Sequence, residues 1–206
     1  MINAVSKERW ENAQHGEKFH YDYENFDNYK NSVSVILKDH FFLNLESDFI
    51  GKKILESGGG CYPAIYFCNG LKEAVNVEPL YSQFPQEIKN KHIKVNIKSY
   101  SVGFEDFVPE NKYYSEEEKF DEVWFFNVLQ HVRDPFLQIK NAKKIANTIR
   151  IFEPIETTIN NEHPHSFTME FFQEQFPKTE VKKYIGGSVN YFHGADCAYL
   201  TWCDDV

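Results

Sequence analysis

The stretch that decides the fold lies between Lys52 and Ile88 and reads KKILESGGGCYPAIYFCNGLKEAVNVEPLYSQFPQEI. Short apolar runs of strand length alternate in it with amphipathic segments. KKILES and EAVNVEP have the pattern of strands, and AIYFCNGL and YSQFPQEI have that of helices. This order of strand, helix, strand and helix is typical of a parallel sheet whose faces are covered by helices.

The same alternation continues downstream as far as Pro154. IKSYSVG, FDEVWFFN and TIRIFEP are predicted strands, VLQHV is predicted to be helical, and a further helix is predicted from Pro135 to about Asn147. FTMEFFQEQF then has helical spacing, whereas VKKYIGG and CAYLTWC follow without a helix between them and are predicted to form an antiparallel hairpin. The predicted fold class is α/β, a Rossmann-like, doubly wound, seven-stranded mixed sheet.

The segment upstream of this pattern, residues 1–48, is polar and aromatic and has helical spacing. Trp10, Ala13 and His20 can share one helix face, and a second apolar series of helical period begins at Val33. A chain of 206 residues usually forms a single core. We therefore expect an N-terminal helical lid over residues 1–48 and one compact unit over residues 49–206.

Charge and composition exclude several classes of protein. Lys and Arg number 22 and Asp and Glu number 31, and the resulting net charge of −9 repels a phosphate backbone and disfavours nucleic-acid binding. No apolar run reaches the roughly 18 residues of a membrane span, and the first residues lack a signal-peptide core. The four cysteines have no Cys-x-x-Cys spacing, which argues against a structural zinc site or a disulfide framework. We expect a cytoplasmic protein without membrane contact.

The chemistry is predicted to lie at the turn Ser57-Gly58-Gly59-Gly60, which joins the first strand to the next helix. In doubly wound folds such a turn binds a nucleoside cofactor, and an acidic residue about twenty positions further on, here Glu78, binds the ribose. No residue of the turn is basic, and Pro63 stands where a dinucleotide-binding turn has its third glycine. A nucleoside without phosphates therefore fits best, and Glu56 can accept a hydrogen bond from an ammonium group.

Four blocks of the sequence resemble, in order, the motifs of the class I S-adenosylmethionine-dependent methyltransferases, especially their small-molecule branch. The blocks are ILESGGG, EAVNVEPL, VGFEDF and FDEVWFFNVLQHVRDP, and the resemblance covers roughly residues 50–206. It implies that S-adenosylmethionine is the cofactor and S-adenosylhomocysteine the product. The residues that it implies for cofactor binding are Glu56, Ser57, Gly58, Gly59, Gly60, Glu78, Pro79, Phe104, Glu105, Asn127 and Val128.

The resemblance further implies transfer of a methyl group to a small molecule, and a histidine suits the removal of an acceptor proton. His131 is the first candidate base, and His163 and His165 are further candidates. A His-x-His pair is also able to bind a metal, but no acidic trio accompanies Asn127, and the prediction is that the site has no metal. Residues predicted to contact the acceptor from the lid are His20, Tyr21 and Tyr23.

The sequence constrains the identity of the methyl acceptor least. The opening RWENAQHGEKFH weakly resembles leader segments of methyltransferases that act on sugars, so a hydroxyl or amine of a sugar or glycan precursor is preferred. A monomer and a homodimer are both compatible with the sequence. Two alternatives stay open: a non-catalytic protein that binds S-adenosylmethionine, and a nicotinamide-dependent oxidoreductase.

Overall fold

The computed structural model describes residues 2–18, 26–110, 119–186 and 194–204. A single seven-stranded sheet runs through this part of the chain, in the spatial order β3-β2-β1-β4-β5-β7-β6. The strands are β1 (Lys53–Ser57), β2 (Glu73–Val77), β3 (Ile97–Tyr100), β4 (Phe120–Phe126), β5 (Ala146–Pro154), β6 (Lys182–Tyr184) and β7 (Cys197–Cys203).

Six α-helices accompany the sheet, and none of the helices in the described ranges is long and apolar enough to cross a membrane. They are α1 (Lys7–Glu17), α2 (Phe26–Val35), α3 (Gln86–Lys94), α4 (Phe104–Glu110), α5 (Pro135–Ile145) and α6 (Met169–Gln175). A π-helical turn, Ile36–His40, continues α2, and short 3-10 turns occupy Ala64–Phe67, Tyr81–Gln83 and Leu129–His131.

The strand pairing confirms the predicted mixed, doubly wound sheet. The first five strands pair in parallel, whereas β7 is antiparallel to both of its neighbours, β5 and β6. Strand β1 lies between β2 and β4, so the direction in which successive strands are added reverses at β1. In such sheets the crevice at the carboxyl ends of the strands beside the reversal is where ligands bind.

The strands are buried on both sides because they carry apolar side chains on both faces of the sheet. In β1, Ile54 belongs to one core cluster and Leu55 to the other, since successive side chains of a strand point to opposite sides. Trp124 and Phe125 divide in the same way in β4. This double burial explains why the strands read as nearly continuous apolar runs rather than as an alternating pattern.

One predicted helix is much shorter than its sequence suggests. The segment AIYFCNGL forms only the 3-10 turn Ala64–Phe67, because Pro63 before it and Cys68 after it both have extended backbones. The chain then passes through Gly70, which has φ +67°, before it enters β2. The connection between β1 and β2 is therefore compact. The parallel pairing of Ser57 with Val77 places the end of β1 beside the residues that follow β2.

Candidate functional site

A cavity of about 1250 Å³ opens at the carboxyl edge of the sheet, next to the reversal at β1. The segments that follow β1, β2, β4 and β5 and the start of α4 form its floor, and residues of α1 and α2 form its opposite wall. All eleven residues predicted for cofactor binding line this cavity, namely Glu56, Ser57, Gly58, Gly59, Gly60, Glu78, Pro79, Phe104, Glu105, Asn127 and Val128.

The glycine turn after β1 requires its glycines for two different reasons. Gly58 and Gly60 have φ angles of +67° and +61°, which residues with a Cβ rarely adopt. A Cβ on Gly58 would also lie 2.0 Å from Cγ2 of Val128, the residue that follows the end of β4 by two positions. The bare backbone of Gly58 thus lets the ends of β1 and β4 approach each other.

Two buried carboxyl groups organise this turn. Glu78, at the end of β2, accepts hydrogen bonds from the N–H of Gly60 at 3.1 Å and from the N–H of Leu80 at 2.9 Å. Glu56 accepts one from the N–H of Ile65 at 3.0 Å. Burial raises the pKa of Glu56 to about 7, and the neighbouring charge of Glu78 acts in the same direction. A cation bound beside Glu56 would favour its ionised form.

Tyr62, two residues after the glycine turn, packs toward the lid. Its ring lies 5.2 Å from that of Phe26 and 5.6 Å from that of Tyr29, both in α2, and its hydroxyl accepts a hydrogen bond from Lys91 Nζ at 2.9 Å. The ring is almost completely buried and forms part of the cavity wall. It therefore joins α2 to the glycine turn through aromatic contacts.

The turn after β4 is held in a strained conformation by a residue that the sequence analysis did not single out. Asn127 has φ +56°, an uncommon angle for a residue with a side chain. Glu153 of β5 accepts hydrogen bonds from the N–H groups of Val128 at 2.7 Å and Leu129 at 3.0 Å through the same oxygen, Oε1. Burial raises the pKa of Glu153 to about 8, so its carboxyl retains a proton at neutral pH.

Glu105 makes a comparable connection on the other side of the cavity. Its Oε1 accepts hydrogen bonds from the N–H groups of Arg133 at 2.8 Å and Asp134 at 3.0 Å, just before α5. Phe104 is buried in the core beside it and also lines the cavity. The carboxylate of Glu105 thus fixes the start of α5 against α4, and contact of Glu105 with an adenine base stays a prediction.

Two of the three predicted histidines meet at the end of the cavity under α1. The rings of His131 and His163 lie 4.6 Å apart between centroids. Glu17 Oε1, from the last turn of α1, lies 3.1 Å from His131 Nδ1 and 3.9 Å from His163 Nε2. All three residues line the cavity, and we refer to them as the histidine–glutamate cluster.

Glu17 was not among the predicted site residues, although the spacing of residues in α1 contained a signal for it. Trp10, Gln14 and Glu17 follow one another at spacings of four and three, so they lie on one face of a helix, and all three line the cavity. Gln14 Nε2 donates to the backbone carbonyl of His131 at 3.2 Å. Periodicity can place these residues on one face of α1, but it does not indicate what that face contacts.

His165 lies apart from the cluster. It is buried, and its Nε2–H donates to the backbone carbonyl of Val132 at 2.9 Å. Burial lowers the pKa of this imidazole, and the residue does not line the cavity. The predicted acceptor contacts His20, Tyr21 and Tyr23 lie outside the described residues.

The cavity is strongly acidic. Among the described residues that line it there is no Lys or Arg. Its acidic lining residues are Glu17, Glu56, Glu78, Glu105, Glu156, Glu162 and Asp196. A lining of this kind favours cations and neutral polar groups and opposes phosphates.

Solved structures with the same architecture were found, whereas no protein-family model and no curated protein sequence matches the chain. N-methyltransferase NodS from Bradyrhizobium japonicum WM9, in complex with S-adenosyl-L-homocysteine, has a TM-score of 0.55 and 12% identity over 86% of each chain. Magnesium protoporphyrin IX methyltransferase ChlM from Synechocystis PCC 6803, with bound S-adenosylmethionine, has a TM-score of 0.60 and 11% identity, covering 97% of this chain and 98% of that one. The [4+2]-cyclase SpnF has a TM-score of 0.61 and 11% identity over 84% of this chain and 79% of its own.

These similarities establish the fold class. The chain has the α/β fold of the class I S-adenosylmethionine-dependent methyltransferases, with the antiparallel β7 inserted between β5 and β6. The fold class predicted from the sequence is thereby confirmed. Because a [4+2]-cyclase shares this fold, the chemistry has to be argued from the site.

Substitution of Gly58 by alanine tests the contact between the two strand ends. Gly51→Ala is a matched control, because Gly51 also has positive φ, +79°, but has no atom within 4 Å of its Cβ position. The control should lose about 1 to 2 kcal/mol of unfolding free energy from backbone strain alone. Gly58→Ala should lose about 1 to 3 kcal/mol more through overlap with Val128, measured by urea denaturation. Equal losses of unfolding free energy in the two variants would contradict this contact.

Glu153→Gln tests the buried carboxyl. Its pKa rises from 4.5 to about 8 in the folded protein, so between these values the folded state holds a proton that the unfolded state has lost. Wild-type stability should then fall as pH rises through this window, by at most about 1.4 kcal/mol per pH unit. Glutamine keeps the acceptor for Val128 and Leu129 but does not titrate.

The measurement is urea denaturation of both proteins between about pH 5 and pH 8, the window set by the pKa of Glu153. The unfolding free energy of Glu153→Gln relative to the wild type should increase steadily with pH. Glu46→Gln, which removes an exposed carboxyl group, is measured beside it as a control. A pH-independent difference for Glu153→Gln would show that the carboxyl is ionised throughout.

Proposed function

We propose that the protein is an S-adenosylmethionine-dependent methyltransferase that acts on a small molecule. The observation that carries this proposal is the position of Glu78. Its buried carboxylate is fixed against the glycine turn by the N–H of Gly60, at the crevice beside the strand reversal, and it lines the cavity. A carboxylate there can accept hydrogen bonds from both hydroxyls of a ribose.

The surroundings of Glu78 fit the rest of this cofactor. The acidic lining, without Lys or Arg among its described residues, disfavours a pyrophosphate and is compatible with a cationic sulfonium and an ammonium group. Glu56, whose pKa is about 7, directly precedes the glycine turn in the sequence, and we assign it to the ammonium group. The proposed contacts are those expected from the sequence: Glu56, Ser57, Gly58, Gly59, Gly60, Glu78, Pro79, Phe104, Glu105, Asn127 and Val128.

The histidine–glutamate cluster supports the placement of the acceptor. S-adenosylmethionine supplies a methyl group on a positively charged sulfur, and its transfer to an O–H or N–H acceptor leaves S-adenosylhomocysteine and a proton. His131 and His163 line the cavity, which supports their uptake of that proton, whereas His165 is bonded to the carbonyl of Val132. We assign activation of the acceptor to the cluster.

The acidic cavity also restricts the acceptor class. Carboxylates and the ring of Trp10 suit a neutral hydroxylated molecule or an amine, and they oppose a phosphorylated one. The sugar or glycan precursor preferred from the sequence belongs to the first of these groups. The cavity is large enough for a cofactor and a small acceptor side by side, since drug-sized ligands occupy pockets of about 300 to 1,000 Å³.

A second candidate is a protein of this fold that uses its cavity without methyl transfer. The similarity to the [4+2]-cyclase SpnF supports keeping this possibility. A nicotinamide-dependent oxidoreductase is less consistent with the site, because the described lining offers no cation for a pyrophosphate. Formation of S-adenosylhomocysteine in the presence of a panel of hydroxylated and amine acceptors distinguishes transfer from both alternatives.

Glu78→Gln tests the ribose contact. Glutamine keeps one acceptor oxygen, enough for the N–H of either Gly60 or Leu80, and it removes the charge that strengthens hydrogen bonds to ribose hydroxyls. The variant should lose about 1.5 to 3 kcal/mol of S-adenosylmethionine binding free energy, measured by isothermal titration calorimetry. This loss corresponds to about a 10-fold to 150-fold weaker affinity.

Glu73→Gln is the matched control for this experiment. Glu73 lies at the other end of the same strand, where it pairs with Lys98 at 2.7 Å, and it does not line the cavity. Its substitution should leave cofactor affinity unchanged. Unchanged affinity of Glu78→Gln, or absence of binding by the wild-type protein, would refute the proposed cofactor site.

A further inference from the structure

We propose that the histidine–glutamate cluster, Glu17, His131 and His163, binds a divalent transition-metal ion such as Zn²⁺. Each residue offers one ligand atom, and these three atoms all lie within 4.8 Å of one another. The residues come from three separate elements: α1, the 3-10 turn after β4, and the segment after β5. These residues are far apart in the sequence, and only folding brings them to one point of the cavity wall.

The three ligand atoms lie within 4.8 Å of one another, and one of the distances between them already equals that around a bound metal. An ion about 2.1 Å from each ligand holds neighbouring ligands about 3.0 to 3.4 Å apart, in tetrahedral or octahedral geometry. The distance of 3.1 Å between Glu17 Oε1 and His131 Nδ1 lies in this range. The distance of 3.9 Å between Glu17 Oε1 and His163 Nε2 has to shorten slightly. His163 can make this movement because its side chain is 27% exposed.

The donor set selects the kind of ion. Two imidazole nitrogens and one carboxylate suit Zn²⁺, Fe²⁺, Co²⁺ or Ni²⁺, whereas Mg²⁺ and Ca²⁺ prefer sites made of oxygen ligands alone. Three protein ligands leave at least one coordination position unfilled. Because all three residues line the cavity, that position is open to a bound molecule.

The protein already holds these three elements together. Arg9 of α1 donates hydrogen bonds to the backbone carbonyls of Asn160 and Asn161, in the segment that carries His163. Gln14 of the same helix donates to the carbonyl of His131. Little chain entropy is therefore lost when an ion binds, because the ligands are already close to their bound positions.

The surrounding charge favours a cation. Glu162 lines the same part of the cavity, and its backbone carbonyl lies 3.3 Å from His131 Nδ1. No Lys or Arg occurs among the described residues of the cavity wall, so no positive side chain there repels the ion. The carboxylate of Glu17 would partly offset the charge of the ion.

The proposal departs from the expectation of a metal-free site, which was based on the absence of an acidic trio beside Asn127. The carboxylate ligand comes instead from α1, in the predicted lid. The role of such an ion rests on the proposed function: it would bind the acceptor's oxygen or nitrogen, lower the pKa of that group, and let its proton leave to solvent. His131 and His163 would then hold the ion rather than accept the proton themselves.

The test begins with full-length protein freed of metal by a chelator and titrated with Zn²⁺ in a calorimeter, without S-adenosylmethionine. The expected result is one ion per chain and a higher melting temperature, since the ion joins α1 to the sheet domain. Co²⁺ serves as a second probe, because its visible absorption reports imidazole ligation. Absence of Zn²⁺ and Co²⁺ binding would overturn the proposal.

Single substitutions identify the ligands. Glu17→Gln, His131→Ala and His163→Ala should each weaken Zn²⁺ binding by about 10-fold to 100-fold or more, because loss of a ligand costs at least as much as loss of a residue that supports one. His15→Ala is the matched control, since His15 is an exposed histidine of the same helix that does not line the cavity. Binding that is equal in the control and in all three variants would refute the cluster as the site.

The two proposals can fail separately. His163→Ala, which changes the most exposed member of the cluster, should lose the metal and still bind S-adenosylmethionine with unchanged affinity. Zn²⁺ binding by a wild-type protein that does not bind S-adenosylmethionine would support the metal site and refute the proposed function. Binding of S-adenosylmethionine without any Zn²⁺ or Co²⁺ binding would support the proposed function and refute the metal site.

Discussion

The close approach of the Gly58 backbone to Val128 is the contact on which the site depends. It joins the end of β1 to the end of β4, the two strands between which the sheet reverses, and no side chain larger than hydrogen fits there. On one side of this contact Glu78 fixes the glycine turn, and on the other Glu153 fixes the strained turn at Asn127. The floor of the cavity is consequently made mainly of backbone whose shape is set by a few packed residues.

Buried carboxyl groups do most of this fixing. Glu56, Glu78, Glu105 and Glu153 are each almost completely buried, and each accepts hydrogen bonds from backbone N–H groups that a turn or helix start leaves without partners. Burial raises the pKa of Glu56 and Glu153, because a charge away from water is costly. Near neutral pH part of the stability that these bonds confer is therefore offset, since both acids ionise more readily in the unfolded chain. The site thus combines local rigidity with a strongly acidic interior.

The helices that precede the sheet complete the cavity. Gln14 and Glu17 of α1 contact His131 and His163 in the segments after β4 and β5, and Trp10 of the same helix lies beside Gly103. Arg9 and Gln14 hold this helix in place through backbone carbonyls. Tyr62 connects α2 to the glycine turn through aromatic contacts. Because this wall comes from a separate N-terminal segment, it can differ without a change in the cavity floor, and in this way one fold can serve different functions.

The sequence by itself determined the succession of strands along the chain, the antiparallel pair at the end, the glycine turn and the position of Glu78. These features depend on local periodicity and on residue types with restricted backbone geometry. The AIYFCNGL helix was predicted too long, since flanking extended residues limit it to one turn. Only the tertiary structure decided that Glu153 supports Asn127, that Glu17 joins His131 and His163, and that His165 faces a backbone carbonyl instead. Contacts of this kind join residues far apart along the chain, and the packing of helices on the sheet sets them, which periodicity within a single element does not encode.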